Sequence, residues 1–149
     1  MTSAPSRTAR GDDSASAATV RVYLDPDVIL AQSGAARIDE ATISSDAREP
    51  LETLAETDHE LVLVTDKPVA LPDGFPPIAE SVGVGETGEA WFLTADPEHC
   101  GTRRAGLRSI LVGPGPATRI AEIHRCDIRT RDLRSAVIEI LSREAMAPA

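Results

Sequence analysis

The stretch Leu51-Glu52-Thr53-Leu54-Ala55-Glu56-Thr57-Asp58-His59-Glu60-Leu61-Val62-Leu63-Val64-Thr65 changes periodicity halfway along. Its first half spaces Leu51, Leu54 and Ala55 by three and four positions, the apolar stripe of a helix. Its second half, Leu61–Val64, is apolar at every position. A strand that is apolar on both faces is covered on both faces, as in a parallel sheet between helices. Asp46, Ala47, Arg48, Glu49 and Pro50 open the helix, with Pro50 in the first turn, where its missing N–H costs no hydrogen bond. The helix is expected to stop near Thr57. Asp58-His59 then reads as the turn before a strand at Glu60–Thr65.

The same alternation extends in both directions. Val20–Leu24 is a β-branched run ending at Asp25, a buried strand. Lys67 to Pro77 contains four prolines and Gly74 and reads as an irregular connection, followed by a short helical piece around Ile78–Ser81. Ala90–Thr94 is the third strand and Ser109–Val112 the fourth, with Gly106 as a C-cap between them. Gly113-Pro114-Gly115-Pro116 is a turn, and a short strand is expected near the end of Ile120–Ile128. Thr130 is taken as the cap of the clearest helix, in which Leu133, Ala136, Val137, Ile140 and Leu141 recur at helical spacing. Strands separated by helices predict an α/β fold: a three-layer, Rossmann-like parallel sheet with helices on both faces and right-handed crossovers. Residues 1–18 read as a disordered leader, 19–144 as one domain and 145–149 as a frayed tail.

The chain of 149 residues is 42% apolar and 26% charged, in keeping with one globular domain. No run of 18 apolar residues exists, so no membrane span is expected. Residues 1–100 carry 6 basic and 19 acidic side chains and residues 101–149 carry 9 basic and 5 acidic, which gives the net charge of −9. An acidic chain whose only aromatics are Tyr23, Phe75, Trp91 and Phe92 has neither the charge nor the stacking platform to bind nucleic acid. Cys100 and Cys126 are too few for a disulfide scaffold. Sequence does not decide whether they pair with each other, and they are read as ordinary thiols in a reducing cytoplasm.

In such a sheet a ligand binds beyond the carboxyl ends of the strands. Three polar clusters fall there: Asp25-Pro26-Asp27, Thr65-Asp66, and Thr94-Ala95-Asp96-Pro97-Glu98. An Asp after a strand is by itself a favoured turn residue or helix cap. Three clusters at one edge are harder to dismiss. Several carboxylates converging there repel one another unless a cation neutralises them, which points to Mg²⁺. Gly83-Val84-Gly85-Glu86-Thr87-Gly88 spells a dinucleotide fingerprint, but it precedes an apolar run instead of following one and reads as a turn. His59, His99, His124 and the two cysteines show no metal-ligand spacing.

The segments Val20–Leu30, Leu51–Thr65, Trp91–Glu98 and Arg103–Pro114 together resemble, in order and spacing, the motifs of the haloacid dehalogenase-like hydrolases. The resemblance covers roughly residues 19–143. It implies a phosphohydrolase with Asp25 as nucleophile, Asp27 as general acid and base, and Thr65 as a hydrogen-bond donor to the phosphoryl group. It also implies Mg²⁺ held by Asp25, Asp27 and Asp96 with Glu98 in support. Lys67, only two residues after Thr65, is the candidate for the family's charge-neutralising lysine. Val28 stands where the family usually has Gly, no lysine occupies the usual third-motif place, and Ala95 stands where Gly or Asp is common. The alternative is therefore a catalytically inactive relative serving as a binding or assembly module. The 38 residues from Asp27 to Thr65 and the 31 from Thr65 to Asp96 leave no room for a cap domain. The expected partners are a phosphorylated substrate, small or macromolecular, and a second copy or another protein.

Overall fold

The computed structural model describes residues 20–32, 34–84, 90–96, 107–113 and 126–146. In chain order they form β1 (Val20–Leu24), a single 3-10 turn (Pro26–Val28), β2 (Ile38–Asp39), α1 (Arg48–Glu56), β3 (His59–Val64), β4 (Val69–Ala70), β5 (Ala79–Ser81), β6 (Ala90–Thr94), β7 (Leu107–Val112), β8 (Ile128–Thr130) and α2 (Leu133–Met146). Six strands make one sheet in the order β5-β3-β1-β6-β7-β8, and every pairing in it is parallel. This is the three-layer, Rossmann-like α/β arrangement. The chain steps outward from β1 through β3 to β5, then crosses back to β6 and steps outward again to β8. The order of connection therefore reverses between β1 and β6.

Both faces of the sheet are buried, which is why its central strands are apolar throughout. One face meets α1 and α2: Val22, Leu24, Leu61, Leu63, Trp91, Leu93, Ile110 and Val112 pack against Leu51 and Leu54 of α1 and Leu133, Ala136, Val137 and Ile140 of α2. The opposite face buries Tyr23, Val62, Ala90 and Phe92. Among the described residues, both α-helices lie on the first face. Pro50 sits in the first turn of α1 and is buried, and Thr57 ends the helix with its N–H on the Leu54 carbonyl. Asp58 takes the left-handed backbone (φ 62°) that turns the chain into β3.

Several expectations from sequence are corrected. His59 is the first residue of β3, not part of the turn before it. Residues 79–81 form the edge strand β5, not a helical piece, because β3 offers them an unpaired edge, with Val62 opposite Ala79. Within the proline-rich connection, Val69–Ala70 pairs with Ile38–Asp39 as a second, two-stranded sheet. The short strand after residue 120 is Ile128–Thr130, and Thr130 belongs to it by pairing with Val112. The cap of α2 is instead Asp132, whose Oδ1 accepts the Ser135 N–H at 2.8 Å. That helix continues through Ala145 to Met146. Cys126 is disulfide-bonded and not a thiol. The leader, Gly106, Gly85 to Gly88, Glu98, His99, Cys100 and His124 lie outside the described residues. No helix of the described residues is long and apolar enough to cross a membrane.

A candidate active site where the sheet reverses

The reversal between β1 and β6 opens a crevice beyond their carboxyl ends, the place where ligands bind in sheets of this kind. Asp25 follows β1 directly, and its N–H extends the pairing with β6 by bonding the Leu93 carbonyl at 2.9 Å. Pro26, which has no N–H to offer a strand, then starts the 3-10 turn, closed by Val28 N–H on the Asp25 carbonyl at 3.0 Å. The turn buries Pro26 and Val28 and leaves Asp25 and Asp27 half-buried at the strand ends.

Asp25 does not stand alone. Thr94, the last residue of β6 and fully buried, donates its hydroxyl hydrogen to Asp25 Oδ2 at 2.7 Å. The same Thr94 oxygen accepts the Asp96 N–H at 3.1 Å. One hydroxyl thus joins two of the three polar clusters. Asp27 lines a cleft of about 560 Å³ between the first turns of α1 and α2, with Ser44, Ser45, Asp46, Glu49, Asp132 and Arg134 around it. A space of this size suits a small molecule. Donation from the Ser135 amide and hydroxyl, helped by Arg131 and Arg134, holds the Asp132 carboxyl below its usual range. The cleft wall therefore stays negatively charged there, and among the described residues Arg134 is the only basic one in the lining.

The third cluster sits on the neighbouring strand. Thr65 follows β3, its N–H bonds the Ser81 carbonyl at 2.8 Å, and its hydroxyl accepts the Lys67 N–H at 3.0 Å. The Lys67 side chain has a backbone partner. Its Nζ donates to the Ala35 carbonyl at 2.6 Å. Ala35 belongs to an excursion, residues 29–44, that leaves after the 3-10 turn and returns to the same spot, closed by Ser44 N–H on the Ile29 carbonyl at 2.8 Å. Lys67, the Ile38–Pro68 bond at 2.9 Å and the β2–β4 pairing fasten this excursion to the proline-rich connection. Thus Asp25, Thr94 and Asp96 are brought together, Asp27 faces the cleft beside them, and Lys67 bonds the Ala35 carbonyl.

Among the described residues, no three His, Cys, Asp or Glu side chains gather into a metal-binding group. Mg²⁺ keeps several waters and needs only one or two carboxylates besides a substrate phosphate. Asp25 and Asp96 offer hard oxygen donors of the right kind, and Thr94 links the Asp25 carboxylate to the Asp96 backbone N–H. From sequence Thr94 belongs to the third polar cluster but has no role of its own, and Ser44, Ser45 and Arg134 of the cleft, which carry no motif, give no signal. Compared with known proteins, the chain matches no family model, no curated protein and no solved structure.

Proposed function

We propose that this protein is a capless, Mg²⁺-dependent phosphohydrolase of the haloacid dehalogenase-like type, working through an aspartyl-phosphate. The observation that carries this reading is the adjacency of β3, β1 and β6 in the sheet. It sets the three polar clusters side by side, with Asp25 in the middle at the reversal of strand order. In this reading an Asp25 carboxylate oxygen attacks the phosphorus, the bond to the leaving oxygen breaks, and Asp27 gives that oxygen its proton. Asp27 then takes a proton from water as the water attacks phosphorus, which releases phosphate and restores Asp25. Thr65 donates to a phosphoryl oxygen. Asp96 and Asp25, with Asp27 and Glu98, are the residues assigned to Mg²⁺, which when bound offsets the charge that develops on the phosphoryl oxygens.

The test is hydrolysis of an aryl phosphate with and without Mg²⁺, beside Asp25→Asn. Metal-dependent turnover in the parent chain and its loss in a folded Asp25→Asn variant is the expected result. Equal rates in the two proteins overturn the mechanism. One observation favours the second reading, an inactive binding or assembly module: Lys67 is the only lysine of the chain and is bound to the Ala35 carbonyl. Under that reading there is no turnover with any divalent ion at any pH.

A further inference from the structure

We infer that Thr94 is the positioning residue of Asp25: its hydroxyl, closed between β1 and β6, sets the plane in which the carboxylate meets a phosphoryl group. The catalytic consequence rests on the phosphohydrolase reading. The positioning itself rests on geometry alone.

Nothing intrinsic to an aspartate fixes its carboxylate, because the terminal torsion of the side chain is broad and roughly two-fold. At Asp25 the fixing comes from outside. The Thr94 oxygen lies 2.7 Å from Oδ2, the short distance of a hydroxyl bonded to a charged acceptor. The Asp96 carbonyl is farther from the hydroxyl, at 3.4 Å, so the single hydrogen goes to the nearer and charged Asp25 carboxylate, and the Asp96 N–H at 3.1 Å approaches the oxygen as a donor. The hydroxyl is thereby committed on both sides. Threonine is also β-branched and restricted at its first torsion, so the donor cannot readily swing away.

The surroundings make the choice of residue informative. Trp91, Phe92 and Leu93 precede Thr94 in β6, and all four are buried. Valine has nearly the same shape and would complete that apolar run without burying a hydroxyl. Threonine brings a polar group into the interior, where an unpartnered hydroxyl is costly, and spends its hydrogen on a side chain across the sheet reversal. Thr94 reaches Asp25, and it acts through that carboxylate. Correct alignment of an attacking group accounts for large rate factors, and a misplacement of about 1 Å costs on the order of 100-fold.

Three forms of the full chain test this: parent, Thr94→Val and Thr94→Ser. Two readouts are taken, the orientation of the Asp25 carboxylate in crystals of each protein and kcat and KM for an aryl phosphate with Mg²⁺. Thr94→Val is expected to rotate the carboxylate and lower kcat by about 10- to 100-fold with KM unchanged. Thr94→Ser is expected to restore both the orientation and most of kcat. If Thr94→Val does not fold, Thr94→Ala removes the same donor and is read in the same way. An unmoved carboxylate in the valine or alanine variant overturns the inference whatever the activity, and so does an unchanged kcat. If the parent itself shows no turnover, the phosphohydrolase reading falls, and the crystallographic orientation still decides for or against Thr94.

Discussion

Glu144→Ala is expected to destabilise the protein by about 2–4 kcal/mol, several times the loss from an exposed ion pair. Glu144 lies near the end of α2 and accepts two donors from the amino ends of the strands. His59 Nε2 sits 2.9 and 3.0 Å from its two oxygens, and Trp91 Nε1 sits 3.1 Å from one of them. The other imidazole nitrogen faces the Leu54 carbonyl at 3.1 Å and the Thr57 hydroxyl at 2.9 Å. His59 therefore links α1 to α2 across the start of β3. Its side chain is 2% exposed and that of Glu144 is 30% exposed. Alanine leaves two interior donors without their acceptor, at roughly 1–3 kcal/mol each. Water entering along the exposed side of Glu144 offsets part of this, which gives the lower half of the summed range.

Urea unfolding followed by the fluorescence of Trp91, the single tryptophan, reads the effect. With a slope of about 2 kcal/mol per molar urea, the midpoint falls by roughly 1–2 M without a change in slope. Glu144→Gln keeps an acceptor and recovers part of the loss. Activity per folded molecule stays the same, because His59 and Trp91 lie at the starts of their strands and the strand ends at the site are about 16 Å and about 10 Å away, respectively. A Glu144→Ala variant within about 0.5 kcal/mol of the parent refutes the reasoning, since that is the range of an inert surface change.

Asp132→Ala removes the cap of α2 and should lower stability by about 1 kcal/mol, or about 2–5 °C in the melting temperature. Because its folded-state pKa is depressed, the contribution of Asp132 is complete above the ordinary carboxylate value and disappears as pH falls through the lowered one. Calorimetry should therefore show parent and variant converging in acid, and a gap that widens there refutes the assignment. Lys67→Met releases Ala35 and should speed amide exchange over residues 34–39 while changing global stability by no more than about 1 kcal/mol. Unchanged protection in that segment shows that Lys67 does not hold the excursion.

The parts of the fold legible in the sequence were those whose own pattern was long and consistent. β1, α1, β3, β6 and α2 announce themselves through runs or stripes that agree with their final burial. β5 does not, because Ala79-Glu80-Ser81 has little intrinsic preference for a strand and becomes one by pairing with the open edge of β3. Thr130 and Asp132 are equally good caps by composition. Pairing with Val112 takes Thr130 into β8 and leaves the role to Asp132. At the site, Asp25 and Asp27 were visible because a strand end predicts where a ligand binds. The bond between Thr94 and Asp25 was not, because it joins residues 69 apart whose neighbourhood exists only once the chain has crossed back to β6.

A buried polar pair is not by itself a mark of function, and this protein supplies its own comparison. Ser109 in β7 is also buried, and Asp127 accepts both its N–H at 2.9 Å and its hydroxyl at 3.2 Å. Asp127 precedes β8, and by taking up the Ser109 amide it serves a need of the sheet, whose main-chain donors must find partners when covered. Thr94 and Asp25 answer no such need in their mutual bond. The Asp25 amide is already on the Leu93 carbonyl, and the Thr94 hydrogen goes from one side chain to another. Replacing both partners of a hydrogen-bonded pair by apolar groups of the same shape can be nearly neutral. Main-chain needs account for Ser109 with Asp127 and for the Asp96 amide on the Thr94 oxygen, but not for the hydrogen that Thr94 gives to the Asp25 carboxylate. Local rules are broken at functional sites more than elsewhere. Here the break falls where the sheet reverses, beside the cleft lined by Asp27.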